Sequence, residues 1–239
     1  MYDLNGKSVL IVGGSSGIGL ATALAAAAEG ARVTIASRSA EKLAAAKAQD
    51  PALDTATLDS TDDAAVEAVF VGGKVWDHIF VTSTAPKSGG AKTLATADAM
   101  AGMDGKFWSG YRIARFAKIA PDGSLTLTSG VRSQRPNASG MLQSAINSAV
   151  EGLGRGLSVE LAPVRVNVIS PGIIETPLFG AMPAPDREAM FERMRKELPV
   201  RRLGQPEDVA LAVISLMKNP YISGTTIVVD GGALMALTI

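Results

Sequence analysis

The residues with the clearest chemical meaning form a glycine-rich turn at positions 13–19. An apolar run from Ser8 to Val12 precedes the turn and an alanine-rich segment follows it, which predicts a buried strand, a turn and a helix. Glycines permit a sharp turn and the close approach of a ligand, and the free N–H groups of a helix N-terminus attract phosphate. The pattern predicts a site for the phosphates of a dinucleotide, with a plain structural turn as the alternative. The residues assigned to this site are Gly13, Ser15, Ser16, Gly17, Ile18 and Gly19.

Polar residues follow the second and third predicted strands, at the edge of the sheet where parallel α/β proteins bind ligands. Ser37 and Arg38 stand where an NAD site would place an acidic residue, and a guanidinium there suits the 2′-phosphate of NADP. Asp59, with Ser60 beside it, either accepts a hydrogen bond from the adenine amino group or only begins the next turn. These residues predict an NADP(H) site, unless Arg38 is simply a solvated arginine.

Composition limits the other chemistry that is available. The 239 residues include 23 Lys+Arg and 23 Asp+Glu, and this zero net charge argues against a nucleic-acid or anionic-membrane surface. There is no cysteine and only one histidine, which excludes disulfides, thiolate chemistry and a histidine-based zinc site. No apolar run approaches the ~18 residues of a membrane span, and the first residues lack a signal-peptide pattern. We expect a metal-free cytoplasmic protein that acts on a small molecule.

Strand patterns alternate with helical patterns along almost the whole chain, which predicts right-handed crossovers and a parallel sheet. With 47% hydrophobic residues, residues 1–239 can form a single core. We therefore predict one α/β domain: a doubly wound, Rossmann-like sheet of about seven strands with helices on both faces. The predicted strands are 8–12, 32–36, 56–58, 77–81, 124–127, 165–169 and 226–229. The predicted helices are 21–29, 42–49 after an N-cap at Ser39, one capped by Thr61, 98–120, 140–161 and 206–217.

Four segments resemble the short-chain dehydrogenase/reductase family, over essentially the whole chain. They are the turn at 13–19, the strand and Pro-Gly motif at 165–176, the segment 203–210 and the Asp-Gly-Gly at 230–232. The resemblance implies the doubly wound fold, nicotinamide-dependent oxidoreductase activity and a homo-oligomer, either a tetramer or a dimer. It also assigns further cofactor contacts, namely Ser83, Thr84, Ala85, Asn147, Pro171, Gly172, Ile174 and Thr176.

The chain departs from the family pattern where the acid–base chemistry is expected. Gln143 and Asn147 stand at the positions of the family's tyrosine and lysine, four residues apart on one helix face, and neither ionises. Asn147 can still bind the ribose hydroxyls. The catalytic serine position falls on Gly130, with Ser129 beside it as a substitute, and Lys106 replaces a helix asparagine. The resemblance thus implies a retained cofactor frame and an altered catalytic set.

Three hypotheses follow for this altered site. In the first, Lys106 replaces tyrosine as the acid, because burial can lower its pKa, unless it only binds a carboxylate or carbonyl. In the second, the substrate is an iminium ion that needs no acid, and Gln143, Asn147 and Ser129 only orient it. In the third, the protein binds NADP(H) without turnover, as a sensor or regulator. We favour an NADP(H)-dependent oxidoreductase that transfers hydride to or from a small carbonyl, imine or iminium substrate.

Segment 177–200 corresponds to the family's substrate lid. Met190, Met194 and Leu198 recur every four residues with Phe191 beside them, which predicts an apolar stripe. The stripe either covers an apolar substrate or only docks on the body of the protein.

Three other ionisable residues have weaker assignments. Arg132 and Arg135 follow the fifth strand, where they either clamp an anionic substrate or lie in solvent. His78 lies inside the fourth strand, away from its carboxyl end, so we expect it to pack there rather than act as a base.

Overall fold

The computed structural model describes residues 3–82 and 87–236, and a parallel β-sheet forms its centre. The strands are β1 (Ser8–Val12), β2 (Arg32–Ser37), β3 (Asp54–Thr57), β4 (Trp76–Val81), β5 (Ile119–Thr128), β6 (Arg165–Pro171) and β7 (Thr226–Val229). They form one seven-stranded sheet in the order β3-β2-β1-β4-β5-β6-β7. Every residue of β1 is buried, because helices cover both faces of the sheet and apolar residues fill both sides of this strand.

Helices pack on the two faces of the sheet. They are α1 (Gly17–Ala28), α2 (Ala40–Lys47), α3 (Asp63–Phe70), α4 (Thr96–Met103), α5 (Ser109–Phe116), α6 (Met141–Glu160), α7 (Ala184–Glu197) and α8 (Pro206–Lys218). One apolar cluster joins the sheet to α1 and α8, with Ala23 and Val213 at its centre. A second cluster joins it to α3, α5 and α6 through Val66, Ile113 and Val150. The doubly wound α/β prediction is therefore confirmed.

The direction of the crossovers reverses between β1 and β4, which are neighbours in the sheet. At the carboxyl end of β1, Val12 pairs with Ala36 on one side and with Val81 on the other. In open α/β sheets, ligands bind beyond the carboxyl ends of the strands at such a switch point. The ends of β1, β4, β5 and β6 therefore locate the candidate site.

The helix predicted for 98–120 contains a wider turn at its middle. α4 leads into a π-helical turn at Asp104–Trp108, and the helical backbone continues into α5. This turn places Lys106 among buried residues, and π turns are frequent at functional sites. The predicted end is wrong, because α5 stops at Phe116 and Ile119 already pairs with β4. β5 consequently begins earlier than the strand predicted for that region.

Two local predictions near the third strand are also corrected. β3 ends one residue earlier and begins two residues earlier than predicted. Asp62, not Thr61, caps α3, since its carboxylate accepts two backbone N–H bonds from the first turn. Thr61 instead donates its hydroxyl to Asp59. The cap at Ser39 is confirmed by the bond from the Lys42 N–H to its hydroxyl oxygen, at 3.2 Å.

Across residues 3–82 and 87–236, none of the helices combines the length and apolar character needed to cross a membrane. Within the same ranges, histidine, aspartate and glutamate side chains do not gather in a group of three or more that could hold a metal ion.

Candidate active site

The turn after β1 is shaped by glycines whose neighbours leave no room for a side chain. Gly13 has a φ of +84°, and a Cβ there would lie 2.2 Å from the carbonyl oxygen of Thr82. A Cβ at Gly19 would lie 2.3 Å from the carbonyl oxygen of Gly13. Gly17 has a φ of +51°, and a Cβ there would lie 3.3 Å from the methyl carbon of Thr176. The backbone thus forms a tight cradle that larger residues would fill.

α1 begins directly behind this cradle. Ser16 occupies the N-cap position in an extended conformation, and its side chain makes no capping bond in the described structure. Its carbonyl accepts the first helical bond, from Leu20. The earlier N–H groups therefore lie open at the positive end of the helix dipole. Ser15 adds a polar side chain to the turn, while Ile18 packs against the core. This arrangement fits the pyrophosphate of a dinucleotide.

Ser37, Arg38, Asp59 and Ser60 lie at the ends of β2 and β3. Arg38 is exposed, so its guanidinium can meet a phosphate from solvent. The Oδ1 atom of Asp59 accepts the N–H of Thr61 at 3.0 Å and its hydroxyl at 2.8 Å. These bonds, led by the backbone N–H, hold the pKa of Asp59 below its usual value, and nearby Arg38 adds to the effect. One oxygen of Asp59 thus begins the turn, and its bond to adenine stays a prediction.

The opposite end of the cradle is formed by the segment after β6. β6 ends at Pro171, and Gly172 fits where a Cβ would lie 2.8 Å from the Cα of Asp230. Ile174 is buried and pairs with a neighbouring segment through a single β-bridge to Gly204. Thr176, two residues on, reaches the turn at Gly17. The two assigned ends of the cofactor site therefore meet in the structure. The assigned residues Ser83, Thr84 and Ala85 lie outside the described residues.

Gln143 and Asn147 lie one turn apart on α6, as their spacing predicts. The amide Nδ2 of buried Asn147 donates to the carbonyl oxygen of Gly130 at 3.1 Å, and Gln143 Nε2 donates to the Ser88 hydroxyl at 2.9 Å. A Cβ at Gly130 would lie 3.0 Å from Asn147 Nδ2, so the asparagine fills the space before the serine-equivalent position. The Oδ1 atom of Asn147 is buried and accepts no hydrogen bond within the described chain, which leaves an acceptor for a ligand hydroxyl.

Lys106 is buried at the π turn and reaches the end of β5. Its Nζ donates to the carbonyl oxygen of Ser129 at 2.7 Å. Burial lowers the pKa of Lys106 to about 8, while the carboxylate of Glu151 opposes this effect. Lys106 and Asn147 therefore bind two consecutive carbonyl groups, those of Ser129 and Gly130, from two different helices. The charged group of Lys106 and the neutral amide of Asn147 thus both bind backbone carbonyls just beyond the end of β5.

The hydroxyl of Ser129 binds a carboxylate on α6. It donates to Glu151 Oε1 at 3.0 Å, and Ser133 donates to the same oxygen at 2.6 Å. Sequence reasoning missed Glu151, although its spacing of four from Asn147 places it on the same face of α6. Glu151 is the carboxylate that partly compensates the charge of Lys106.

The two arginines after β5 have different surroundings. Arg135 donates to the backbone carbonyl oxygens of Ala233, Leu234 and Ala236, so it ties this loop to the end of the described chain. Arg132 is half-buried and makes no hydrogen bond or ion pair with any described residue. Arg135 thus has a structural role, whereas no described residue accepts a hydrogen bond from the N–H groups of Arg132.

His78 and the lid stripe both pack as structural elements. His78 is buried, with Nδ1 2.9 Å from the Ser124 hydroxyl, and burial lowers its pKa to about 4. In the lid, Phe191, Met194 and Leu198 are buried in a small apolar cluster of their own. The stripe therefore docks on the body of the protein. Most charged residues of α7 are exposed, but one carboxylate oxygen of Glu197 is buried.

Comparisons with known proteins cover most of the chain. The family model described as enoyl-(acyl carrier protein) reductase matches residues 12–233. The short-chain dehydrogenase/reductase malC of Malbranchea aurantiaca is 31% identical, over 97% of this chain and 96% of that protein. The short-chain dehydrogenase/reductase ucsE of an Acremonium species is 32% identical, over 98% of this chain and 97% of that protein.

Solved structures of dehydrogenases and reductases also match almost the whole chain. A small-chain dehydrogenase in complex with NADPH has 34% identity and a TM-score of 0.83, covering 97% of this chain and 100% of that one. The MalC reductase/Diels-Alderase from Malbranchea aurantiaca has 30% identity and a TM-score of 0.88, covering 97% of both chains.

Proposed function

The chain belongs to the short-chain dehydrogenase/reductase family of NAD(P)-dependent oxidoreductases, and from this premise we propose that it is an NADP(H)-dependent reductase of small carbonyl compounds with an altered active site. Lys106 supplies the positive charge and the proton, and Gln143 and Asn147 position the substrate and the cofactor. Ser129 acts through its backbone, since its carbonyl holds Lys106 and its hydroxyl is bound to Glu151.

The preference for NADP(H) is supported at the end of β2. Ser37 and exposed Arg38 follow the strand where an acidic side chain would repel a 2′-phosphate. A guanidinium can bind phosphate with two parallel hydrogen bonds. A similar small-chain dehydrogenase is described as a complex with NADPH, which agrees with the assignment.

The cofactor frame fits a dinucleotide along its length. The glycine cradle and the open N–H groups of α1 suit the pyrophosphate, and the unpaired Oδ1 of Asn147 can accept a bond from a ribose hydroxyl. The nicotinamide end is assigned to the segment after β6, at Pro171, Gly172, Ile174 and Thr176. NADPH, when bound, would supply the hydride. The residues of this chain would orient the cofactor and stabilise the negative charge that develops on the carbonyl oxygen.

The position of Lys106 carries the proposal. Addition of hydride to a neutral carbonyl leaves a negative oxygen, which needs a positive charge or a proton. The Lys106 ammonium is buried and donates to the carbonyl of Ser129, just beyond the end of β5. Asn147 donates to the next carbonyl, that of Gly130. With a pKa of about 8, it is mostly charged at neutral pH and can release a proton more readily than an exposed lysine.

An iminium substrate is the second candidate, because neutral Gln143 and Asn147 can orient it without any acid. The cation of Lys106 opposes it, since this charge repels a positive substrate and attracts a developing negative oxygen. The charge distribution therefore favours a carbonyl.

A homo-oligomer is part of the proposal, supported by the exposed edge-to-face contact of Trp108 and Tyr111 beside the π turn.

A panel of ketones, quinones and cyclic imines, each with NADPH and with NADH, tests the proposed function. The proposal predicts oxidation of NADPH by ketones, faster than oxidation of NADH. Turnover of imines alone would select the iminium hypothesis. NADPH binding without turnover of any compound would indicate a silent sensor or regulator, and the proposed reductase would be wrong.

A further inference from the structure

Arg132 is a cation beside the candidate active site whose charge no described carboxylate compensates. It lies on the short 3₁₀ turn Val131–Ser133 that directly follows Gly130, the residue whose carbonyl binds Asn147. A Cβ at Gly140 would lie 3.0 Å from both Arg132 Cδ and Gln143 Oε1. The arginine stem and the Gln143 amide therefore lie close together beside Gly140, where Asn137 Oδ1 also lies, 2.6 Å from the same Cβ position.

Partial burial of this guanidinium removes some of its hydration, and hydrogen bonds to an acceptor would offset that loss. The pKa of Arg132 is lowered by burial alone, with no carboxylate contributing an opposing effect. Arg135, three residues on, shows how this fold satisfies a structural arginine: backbone carbonyl oxygens accept its N–H groups. Within residues 3–82 and 87–236 no group accepts a hydrogen bond from Arg132, so its N–H groups are open to solvent and to a ligand.

We propose that Arg132 binds the carboxylate of the substrate, and that the substrates of this enzyme are small oxo acids. A planar guanidinium binds a carboxylate with two parallel hydrogen bonds, which fixes the substrate in one orientation. One guanidinium carries a single positive charge, which matches a singly charged carboxylate better than a doubly charged phosphate. The bond would place the carbonyl of the substrate toward Gln143 and Lys106.

This inference rests on the proposed carbonyl reduction, and it adds the class of substrate. Hydride passes from NADPH to the carbonyl carbon, the carbonyl π bond breaks, and the oxygen takes the proton of Lys106, which solvent restores. The product is a hydroxy acid and NADP⁺. Arg132 takes no part in these bond changes and acts only on binding and orientation.

Matched pairs of acid and ester test the proposal. The probes are pyruvate, benzoylformate and levulinate, each beside its methyl ester, which keeps the carbonyl and removes the charge. NADPH oxidation is followed for the wild type, Arg132→Gln, Arg132→Lys and the control Arg155→Gln, an exposed arginine on α6. We expect at least one acid to exceed its ester by about tenfold or more in kcat/KM, the range of one charged hydrogen-bonding contact.

The variants separate recognition from chemistry. Arg132→Gln is expected to lower kcat/KM for the acid by about ten- to one-hundredfold and to leave the ester within about threefold, with Arg132→Lys between them. Arg155→Gln is expected to behave as the wild type. Equal turnover of acids and esters, or an acid preference that survives Arg132→Gln, would overturn the role of Arg132 while leaving carbonyl reduction intact.

Equilibrium dialysis of the three acids against the NADPH-bound protein covers the case in which no probe turns over. Saturable binding that Arg132→Gln abolishes and Arg155→Gln keeps would support the carboxylate site, although carbonyl reduction would fail. Binding of none of the acids would overturn the site. Inorganic phosphate that competes more strongly than acetate would also overturn it, because the site would then favour a doubly charged anion.

Discussion

The proposed cofactor half and the proposed catalytic half of the candidate site use different parts of the chain. At the cofactor half, glycine backbone and neighbouring carbonyl groups lie so close that a Cβ would fall 2.2 to 2.3 Å from an oxygen. At the catalytic half, Lys106 and Asn147 extend side chains to the strand end from two helices. Steric fit restricts the first half to a few residue types, whereas the second can exchange side chains on the same backbone. The same glycine backbone can therefore be combined with different side chains at the proposed catalytic positions.

The largest effect is expected where the backbone itself is the binding element. Gly13→Val puts a branched side chain against the Thr82 carbonyl at a φ of +84°, so we expect the free energy of unfolding to fall by about 3 kcal/mol or more. Urea unfolding and fluorescence titration with NADPH measure the loss. Gly156→Ala is the control, because nothing lies within 4 Å of its Cβ position on α6. A Gly13→Val protein that binds NADPH as tightly as the wild type would remove the contrast between the two halves.

The catalytic half should respond in the opposite way, with activity lost and stability kept. Lys106→Met is expected to lower kcat for ketones by about 10² to 10⁴, the contribution of a positioned general acid. It should change the melting temperature little, because the methionine removes the cost of a buried ammonium but also its hydrogen bond to the Ser129 carbonyl. Steady-state rates and thermal unfolding of the same preparations measure both effects. Equal losses of stability and activity would mean that Lys106 is only structural.

The pH profile sharpens the same point. The lowered pKa of about 8 means that Lys106 keeps its proton below this pH and loses it above. We expect kcat for ketone reduction to fall as the pH rises through about 8, and this limb to be absent in Lys106→Met. A wild-type rate that stays constant to pH 10 would contradict an acid role for Lys106.

His78, in the middle of the fourth strand, gives a change that acts on the fold alone. Its pKa is about 4 in the folded protein and near 6.5 when unfolded, so folding favours the neutral ring. The stabilisation is complete above pH 6.5 and is lost as the pH falls toward 4, by up to about 3 kcal/mol. Urea unfolding between these pH values should show this loss, and His78→Asn should reduce it. A wild type of constant stability over this range would refute the assignment.

The smallest effect is expected at the outer end of the cofactor half. Arg38→Leu removes one exposed charged contact to the 2′-phosphate, so the preference for NADPH over NADH should fall by about ten- to one-hundredfold. Dissociation constants of both nucleotides measure it, with exposed Arg193→Leu as the control. An unchanged preference would assign the NADPH selectivity to another residue.

Local sequence patterns predicted the fold and the glycine turn after β1, because both depend on apolar periodicity and glycine positions. The cofactor contacts assigned from the same patterns stay predictions. The same patterns misplaced the cap of α3, since Asp62 and Thr61 are both good caps and only the backbone decides between them. The π turn around Lys106 has no simple sequence signal. Arg132 and Arg135 are indistinguishable in the sequence, because their difference lies in carbonyl groups about one hundred residues away, at a distance that only the fold closes.

Deuterium transfer distinguishes a reductase that uses Lys106 as its acid from a protein that only binds NADPH. The wild type is incubated with NADPH deuterated at C4 of the nicotinamide and with an oxo acid or ketone, and the alcohol product is analysed by mass spectrometry. The account predicts deuterium on the carbinol carbon, lost in Lys106→Met and kept in Lys42→Met, a change at an exposed lysine. Tight binding of NADPH with no label in any product, or full labelling by Lys106→Met, would contradict it.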